Sequence, residues 1–257
     1  MSTLNGKTAL VTGGSRGIGR ATCRRLAAEG ALVAVHYGSD DAAAKGTLAE
    51  IEAAGGRAFP IKARLGGEGD TDTVIAALES GLREHTGRAH LDVLVNNAAL
   101  GGPPYEDRSG FDELFAVNVR APYFLTLGAL PLMGSGGRVI NIGSAVTRIA
   151  LPGELAYAMT KAAIETLTRN AANELGARGI TINTVNPGPT RTDRTAAFMD
   201  LPQVQEAVAA SQALERVGRP SDIADVVAFL AADNSRWLTA NVIDASGGSY
   251  LGPKRLG

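Results

Sequence analysis

The chain of 257 residues has one cysteine, Cys23, so no intramolecular disulfide can form. That absence suits a reducing cytoplasm. Cys23 lies inside an apolar helical pattern and is read as a small buried residue. The three histidines, His36, His85 and His90, have no metal-ligand spacing, which leaves them surface or capping roles. Charge of neither sign is concentrated: 25 basic and 26 acidic residues are mixed along the chain, for a net charge of -1. No basic block points to nucleic acid, and no acidic tail points to disorder. No apolar run is long enough to span a bilayer. The start, Met1 to Lys7, is too short and polar for a signal peptide. The expectation is a soluble cytoplasmic protein with neither a membrane nor a nucleic-acid partner. No Pro/Gly/Ser-rich linker, repeat or low-complexity tract divides the chain, which predicts one domain over 1–257.

What the chain does have is alternation. Short β-branched runs at Thr8–Thr12, Leu32–His36, Ala58–Lys62, Leu91–Val95, Arg138–Ile142, Thr181–Val185 and Asn241–Ala245 read as strands. Helical patterns fall between them at Gly17–Glu29, Asp41–Ala54, Asp70–Glu84, Phe111–Leu132, Leu155–Leu175 and Asp222–Ala232. The last of these follows Pro220-Ser221, with Asp222 as a helix start. Trp237 is read as packing between the last helix and the last strand. Strict alternation implies parallel strands with right-handed crossovers and helices on both faces. Continuous apolar runs such as Val93-Leu94-Val95 fit burial on both sides. The predicted fold is α/β, a doubly wound Rossmann arrangement with a seven-stranded parallel sheet. Residues 188–219 break the alternation with an extra helical pattern, Gln203–Leu214, and are read as a substrate flap.

The first strand runs into Thr12-Gly13-Gly14-Ser15-Arg16-Gly17-Ile18-Gly19 and then a helix. Glycines permit a tight turn and close backbone approach, and the helix N-terminus offers free N–H groups to a pyrophosphate. Because it opens a βαβ unit, this string points to a dinucleotide. No Gly-Lys-Ser/Thr ending follows, which excludes a nucleoside-triphosphate P-loop. An acid ending the second strand would bond the adenosine ribose and repel a 2′-phosphate. Here that strand ends His36-Tyr37-Gly38-Ser39, while Arg16 offers a cation and Ser39 a hydroxyl. NADP(H) is therefore expected, with NAD(H) as the alternative. Asp40 and Asp41, just beyond, are read as the cap and first turn of the next helix.

Tyr157 and Lys161 lie one turn apart on one helical face. A phenol with an ordinary pKa of about 10 is a poor acid–base catalyst at neutral pH, and a nearby ammonium stabilises its phenolate. Lys161 also has the reach to hold a nicotinamide ribose. Ser144, thirteen residues before Tyr157, ends a strand and can hydrogen-bond a substrate oxygen.

Taken together, Thr12-Gly13-x-x-x-Gly17-x-Gly19, Asn96-Asn97-Ala98-Ala99, Val117-Asn118-Val119, Ser144, Tyr157-x-x-x-Lys161 and Asn186-Pro187-Gly188 make the chain resemble the single-domain branch of the short-chain dehydrogenase/reductase family. The resemblance runs from Gly6 to about Tyr250. It implies that Tyr157 transfers the proton, Ser144 orients the carbonyl, Lys161 holds the ribose and lowers the tyrosine pKa, and Asn118 anchors a water in a proton relay. It also implies that Pro187, Gly188, Thr190 and Thr192 contact the nicotinamide carboxamide, and that Asn96 and Ala98 line the adenosine ribose. Three departures stand out. Arg64-Leu65 replaces the usual adenine-contacting aspartate, which leaves backbone groups near Leu65 for that contact. Ala98-Ala99 replaces the commoner Ala-Gly. The last strand reads Asp244-Ala245-Ser246-Gly247-Gly248, without the usual acid just before the glycine pair.

The reaction implied is hydride transfer between a nicotinamide and a carbonyl or hydroxyl group. The substrate is expected to be a 3-oxoacyl thioester or a general ketone, as in 3-oxoacyl-(acyl-carrier-protein) reductases. An enoyl reductase, whose tyrosine and lysine lie further apart, fits less well. The rival readings are a cofactor-sensing regulator without turnover and an NAD-dependent alcohol, sugar or steroid dehydrogenase of the same family. Phe198, Met199 and Leu201 are expected to give the pocket an apolar lining, opposite Pro103, Pro104 and Tyr105 in the loop Leu100–Asp107. The resemblance implies a homotetramer built through Phe111–Leu132, Leu155–Leu175 and the last strand.

Overall fold

The computed structural model describes residues 3–104 and 106–251 of the chain. Seven strands form one sheet: β1 (Thr8–Val11), β2 (Leu32–Tyr37), β3 (Arg57–Lys62), β4 (Val93–Asn96), β5 (Arg138–Ile142), β6 (Thr181–Pro187) and β7 (Val242–Ala245). Their order is β3-β2-β1-β4-β5-β6-β7, and every neighbouring pair is parallel. The doubly wound sheet expected from the alternation is the one observed. Because side chains alternate across a strand, each central strand feeds two cores. Leu10, Leu94, Val139 and Ile182 pack on one face with Leu78, Leu125 and Leu175. Ala9, Val95, Ile140 and Val185 pack on the other with Cys23, Leu26, Ile51 and Val227. At one edge β3 alternates exposed and buried residues, and it carries Pro60, whose missing N–H an edge strand tolerates.

The helices supplying those side chains are α1 (Gly17–Ala28), α2 (Asp41–Ala53), α3 (Asp70–Thr86), α4 (Arg108–Phe115), α5 (Ala121–Ala129), α6 (Leu155–Gly176), α7 (Ala196–Met199), α8 (Pro202–Ser211) and α9 (Pro220–Ala231). Asp40 caps α2 by accepting the Ala43 amide, and the Asp222 carboxylate accepts the Arg219 amide at the start of α9, as the sequence implies.

Four expectations need correction. The single helix predicted over Phe111–Leu132 is three pieces: α4 starts earlier, a π-helical turn occupies Ala116–Arg120, and α5 ends in a 3₁₀ turn at Leu130–Leu132. Pro122 accounts for the break, since it has no N–H for the Asn118 carbonyl four residues back. The predicted helix Gln203–Leu214 ends at Ser211, because Gln212 turns extended and bridges to Ser249. Trp237, expected between helix and strand, is instead 94% exposed. His36, expected at the surface or a cap, is buried in β2.

Within the sheet a row of polar side chains crosses three strands. Asn96 on β4 donates to Asn141 on β5 (2.9 Å), and Asn141 donates to Thr168 on α6 (2.9 Å). Thr168 shares a hydrogen bond with Thr184 on β6 (2.7 Å). All four are buried, and each takes part in at least one of these hydrogen bonds, although Asn96 Oδ1 finds no partner among the described residues.

Candidate active site

The C-terminal ends of the strands open onto a cleft of about 680 Å³, the size of a cofactor or drug-sized ligand. It lies where the strand order reverses around β1 and β4, the expected ligand position in an open α/β sheet. One end is the glycine turn. A Cβ on Gly19 would lie 2.0 Å from the Gly13 carbonyl oxygen, so the turn closes only on glycine. Gly13, Ser15, Arg16, Gly17, Ile18 and Gly19 all line the cleft. The Asn97 side chain holds the turn to β4, donating to the carbonyls of Thr12 (2.8 Å) and Gly13 (3.2 Å). His36 holds it to β2: Nδ1 accepts the Gly13 amide at 3.2 Å, and Nε2 lies 2.9 Å from the Ala63 carbonyl and donates to it. Burial lowers the His36 pKa to about 4, so the ring is neutral as that hydrogen-bond pattern requires.

Tyr37, Ser39, Arg64 and Leu65 line the same end. The Tyr37 hydroxyl donates to Asp41, whose carboxylate also takes Lys62 (2.8 Å). Neither Asp40 nor Asp41 is among the lining residues; the charged groups at this end are Arg16, Arg64 paired with Glu113 (3.1 Å), and Asp193. The residues fit a dinucleotide with a 2′-phosphate: a glycine-only turn, the Ile18 and Gly19 amides at the start of α1, no acid at the end of β2, and Arg16 and Arg64 nearby.

At the other end are Ser144, Tyr157 and Lys161. Ser144 follows β5, and its amide donates to Asn186 Oδ1 (3.0 Å). Asn186 Nδ2 in turn donates to Glu165 (2.8 Å) and Thr147 (3.2 Å). A Cβ on Gly143 would fall 2.0 Å from Asn186 Oδ1, so a larger residue before the serine would push the Asn186 side chain off the Ser144 amide. Ser144 Oγ accepts the Val146 amide at 3.3 Å, which leaves its own proton free to donate. Lys161 is buried, donates to the Ile142 carbonyl (2.8 Å) and stands 5.5 Å from the centre of the Tyr157 ring. Burial, with the Arg194 charge added, lowers its pKa to about 8.

Burial raises the Tyr157 pKa, and the opposing charge is Arg194, helped by hydrogen bonding from Ser144 and Arg194. The Lys161 ammonium donates to the Ile142 carbonyl and lies over the Tyr157 ring. Nothing in the motifs pointed to Arg194, a loop cation brought to the site by the segment after β6.

Ala98, Pro187, Gly188, Thr190 and Thr192 line the cleft, but Asn96 does not. The Asn96 side chain is turned into the sheet, donating to Thr126 and Asn141. Asn118 also lies behind the lining: Oδ1 accepts the Leu100 amide (2.8 Å), and Nδ2 donates to the Leu100 carbonyl (3.1 Å) and Thr160 (3.2 Å). The Asn118 side chain thus ties the Leu100 backbone to Thr160 on α6. Of the expected apolar wall, Met199 and Leu100 line the cleft, whereas Phe198 and Leu201 are exposed elsewhere. Pro103 and Pro104 do not line it, and Tyr105 lies outside the described residues. Among the described residues no group of acids, histidines or cysteines is placed to hold a metal.

The family model described as Enoyl-(acyl carrier protein) reductase matches residues 13–249. An uncharacterized oxidoreductase of Methylorubrum extorquens is 40% identical over 96% of this chain and 99% of its own length. The 3-oxoacyl-[acyl-carrier-protein] reductase FabG of Staphylococcus aureus is 37% identical over 95% and 98%. Among solved structures, the reductase LugOII, which catalyses keto-reduction at C1 in lugdunomycin biosynthesis, superposes with a TM-score of 0.93 at 52% identity, covering 97% of this chain and all of its own. The angucycline C-6 ketoreductase LanV with bound NADP gives 0.92 at 47% identity, covering 98% of each chain. With its glycine turn, serine, tyrosine and lysine around one cleft and relatives matching end to end, the chain belongs to the short-chain dehydrogenase/reductase family.

Proposed function

We propose that the chain is an NADP(H)-dependent ketoreductase acting on a ring ketone. The observation that carries the reading is the convergence of Ser144, Tyr157 and Lys161 on the cleft that the glycine turn opens. NADP(H), when bound, supplies the hydride. The ring ketone rests on LugOII and LanV, at 52% and 47% identity against 37% for the acyl-carrier-protein reductase. NADP(H) over NAD(H) is supported by Arg16 and Arg64 lining the adenosine end with Asp40 and Asp41 turned away.

In reduction the Ser144 hydroxyl donates a hydrogen bond to the substrate oxygen and holds it beside Tyr157. Tyr157 gives its proton to that oxygen, and the phenolate left behind is stabilised by the cations around it. Lys161, fixed on the Ile142 carbonyl, presents its remaining N–H donors to the ribose end of the cleft. Residues 188–219, carrying α7 and α8, act as the substrate flap. Exposed Phe124, Tyr123 and Leu127 on α5 and Trp237 near β7 support a homotetramer built on those two faces.

The test is NADPH oxidation with fused-ring ketones and acetoacetyl thioesters, run beside Tyr157→Phe. The expected result is faster turnover of ring ketones, and a variant that binds NADPH yet loses roughly 100- to 10,000-fold in turnover. NADPH binding without consumption across the panel overturns the reading in favour of a sensing regulator.

A further inference from the structure

The segment after β6 crosses the cleft and touches it at both ends. At the glycine turn, the Asp193 carboxylate accepts the Gly17 amide at 2.7 Å, a contact between residues 176 positions apart. Its other oxygen lies 3.8 Å from the Arg20 guanidinium, so the acid is not left without a countercharge. The first turn of α1 has no side-chain cap of its own, and Arg16 at the cap position supplies none. Asp193 fills that place from the opposite wall, leaving the Ile18 and Gly19 amides to a phosphate. Thr192 is pressed onto the same spot, 3.3 Å from where a Gly17 Cβ would stand. The next residue, Arg194, lines the other end of the cleft with Tyr157. Its guanidinium stands 3.6 Å from where a Gly101 Cβ would be, and Tyr157 stands 3.6 Å from where a Gly102 Cβ would be. The Arg194 charge and a hydrogen bond act on the tyrosine hydroxyl.

We propose that Asp193 is a clasp that fastens this segment to the Gly17 amide across the cleft, and that the fastening holds Arg194 against the Tyr157 hydroxyl as a second cation of the catalytic centre. The inference rests on the ketoreductase reading and goes further, because it ties cofactor retention and the proton-transferring group to one carboxylate. Asp193 is a positioning residue: it touches neither Tyr157 nor Ser144. Among the described residues, the groups that act on the tyrosine are Lys161 from α6, Glu154 at the start of α6, Ser144 after β5, and Arg194. The Arg194 charge favours the phenolate, whereas Glu154 opposes it.

The experiment uses the full chain with Asp193→Ala, Asp193→Asn and Arg194→Met. In the free protein, amide exchange at Gly17 should speed up in Asp193→Ala and be partly restored in Asp193→Asn, which keeps an acceptor oxygen. NADPH dissociation, followed by its fluorescence, should be about tenfold faster in Asp193→Ala than in the unmodified chain. In the alcohol-oxidising direction Tyr157 must be ionised to accept a proton, so the rising limb of the kcat–pH profile should move to higher pH in Arg194→Met. It should move the same way in Asp193→Ala. Unchanged Gly17 exchange overturns the clasp, and so does tighter NADPH binding in Asp193→Ala, which would make the carboxylate a rival of the pyrophosphate. A limb that stays in place in Arg194→Met overturns the second cation. Failure of the ketoreductase reading would look different: NADPH bound, no ketone consumed, and the exchange arm still readable.

Discussion

The Nδ1 atom of His36 accepts the amide proton of Gly13, so a buried imidazole on β2 carries one corner of the cofactor-binding turn. Its lowered pKa makes that corner sensitive to acid. The folded-state value, about 4, lies below the ordinary 6.5. The stability contributed is complete above the unfolded value and is lost as pH falls from about 6.5 to 4, to a total of roughly 3 kcal/mol. Urea unfolding midpoints at pH 7.5 and 5 should therefore fall more for the unmodified chain than for His36→Asn, whose amide oxygen can still accept the Gly13 proton. An equal fall in both proteins counts against this assignment.

Lys161 separates activity from stability. It is buried with one carbonyl partner, and its pKa of about 8 lies below the ordinary 10.5, so the charged form costs stability that returns as pH rises through that interval. Lys161→Met should lose at least about 100-fold in turnover, while its urea midpoint at pH 7 stays level or rises. A large drop in the midpoint would show the ammonium to be structural.

Two glycine-to-alanine changes should have opposite signs. Gly19→Ala places a methyl 2.0 Å from the Gly13 carbonyl oxygen and should abolish NADPH binding in a fluorescence titration. Gly46, exposed in α2, has nothing within 4 Å of an added Cβ, and Gly46→Ala should stabilise by about 0.5–1 kcal/mol in chemical unfolding.

The proposed tetramer can be tested at Phe124, which is 49% exposed beside Tyr123 on α5. Phe124→Glu should lower the mass seen by sedimentation while leaving the far-ultraviolet circular dichroism unchanged. A monomeric mass for the unmodified chain would remove the proposal.

The sheet and the Ser144, Tyr157 and Lys161 motif were legible because their signals are local. Buried parallel strands write continuous apolar runs such as Val93-Leu94-Val95, and Tyr157 and Lys161 share a face by spacing alone. What stayed hidden depends on direction and on distant partners. An apolar pattern cannot tell a straight helix from one broken at Pro122, and Asn96 and Asn97 differ only in which way the strand turns each side chain. Trp237 looks like core by composition, yet the turn after α9 leaves it outside. Arg194 belongs to no periodic element, so its place beside Tyr157 exists only once the segment after β6 has crossed the cleft.

The Asn96–Asn141–Thr168–Thr184 row has a further consequence. Asn96 sits opposite Asn141, and Asn141 opposite Thr184, in the strand pairing. A slip of one residue in any of these strands would turn its member to the other face and break the row. The row therefore acts as an alignment gauge for β4, β5 and β6, and the site is read off from it: Ala98 lies two residues beyond Asn96, Ser144 three beyond Asn141, and Pro187 three beyond Thr184. An apolar replacement such as Asn141→Leu would keep the core filled but remove the gauge, and its cost would be felt as misplacement of Ser144 before it was felt as unfolding.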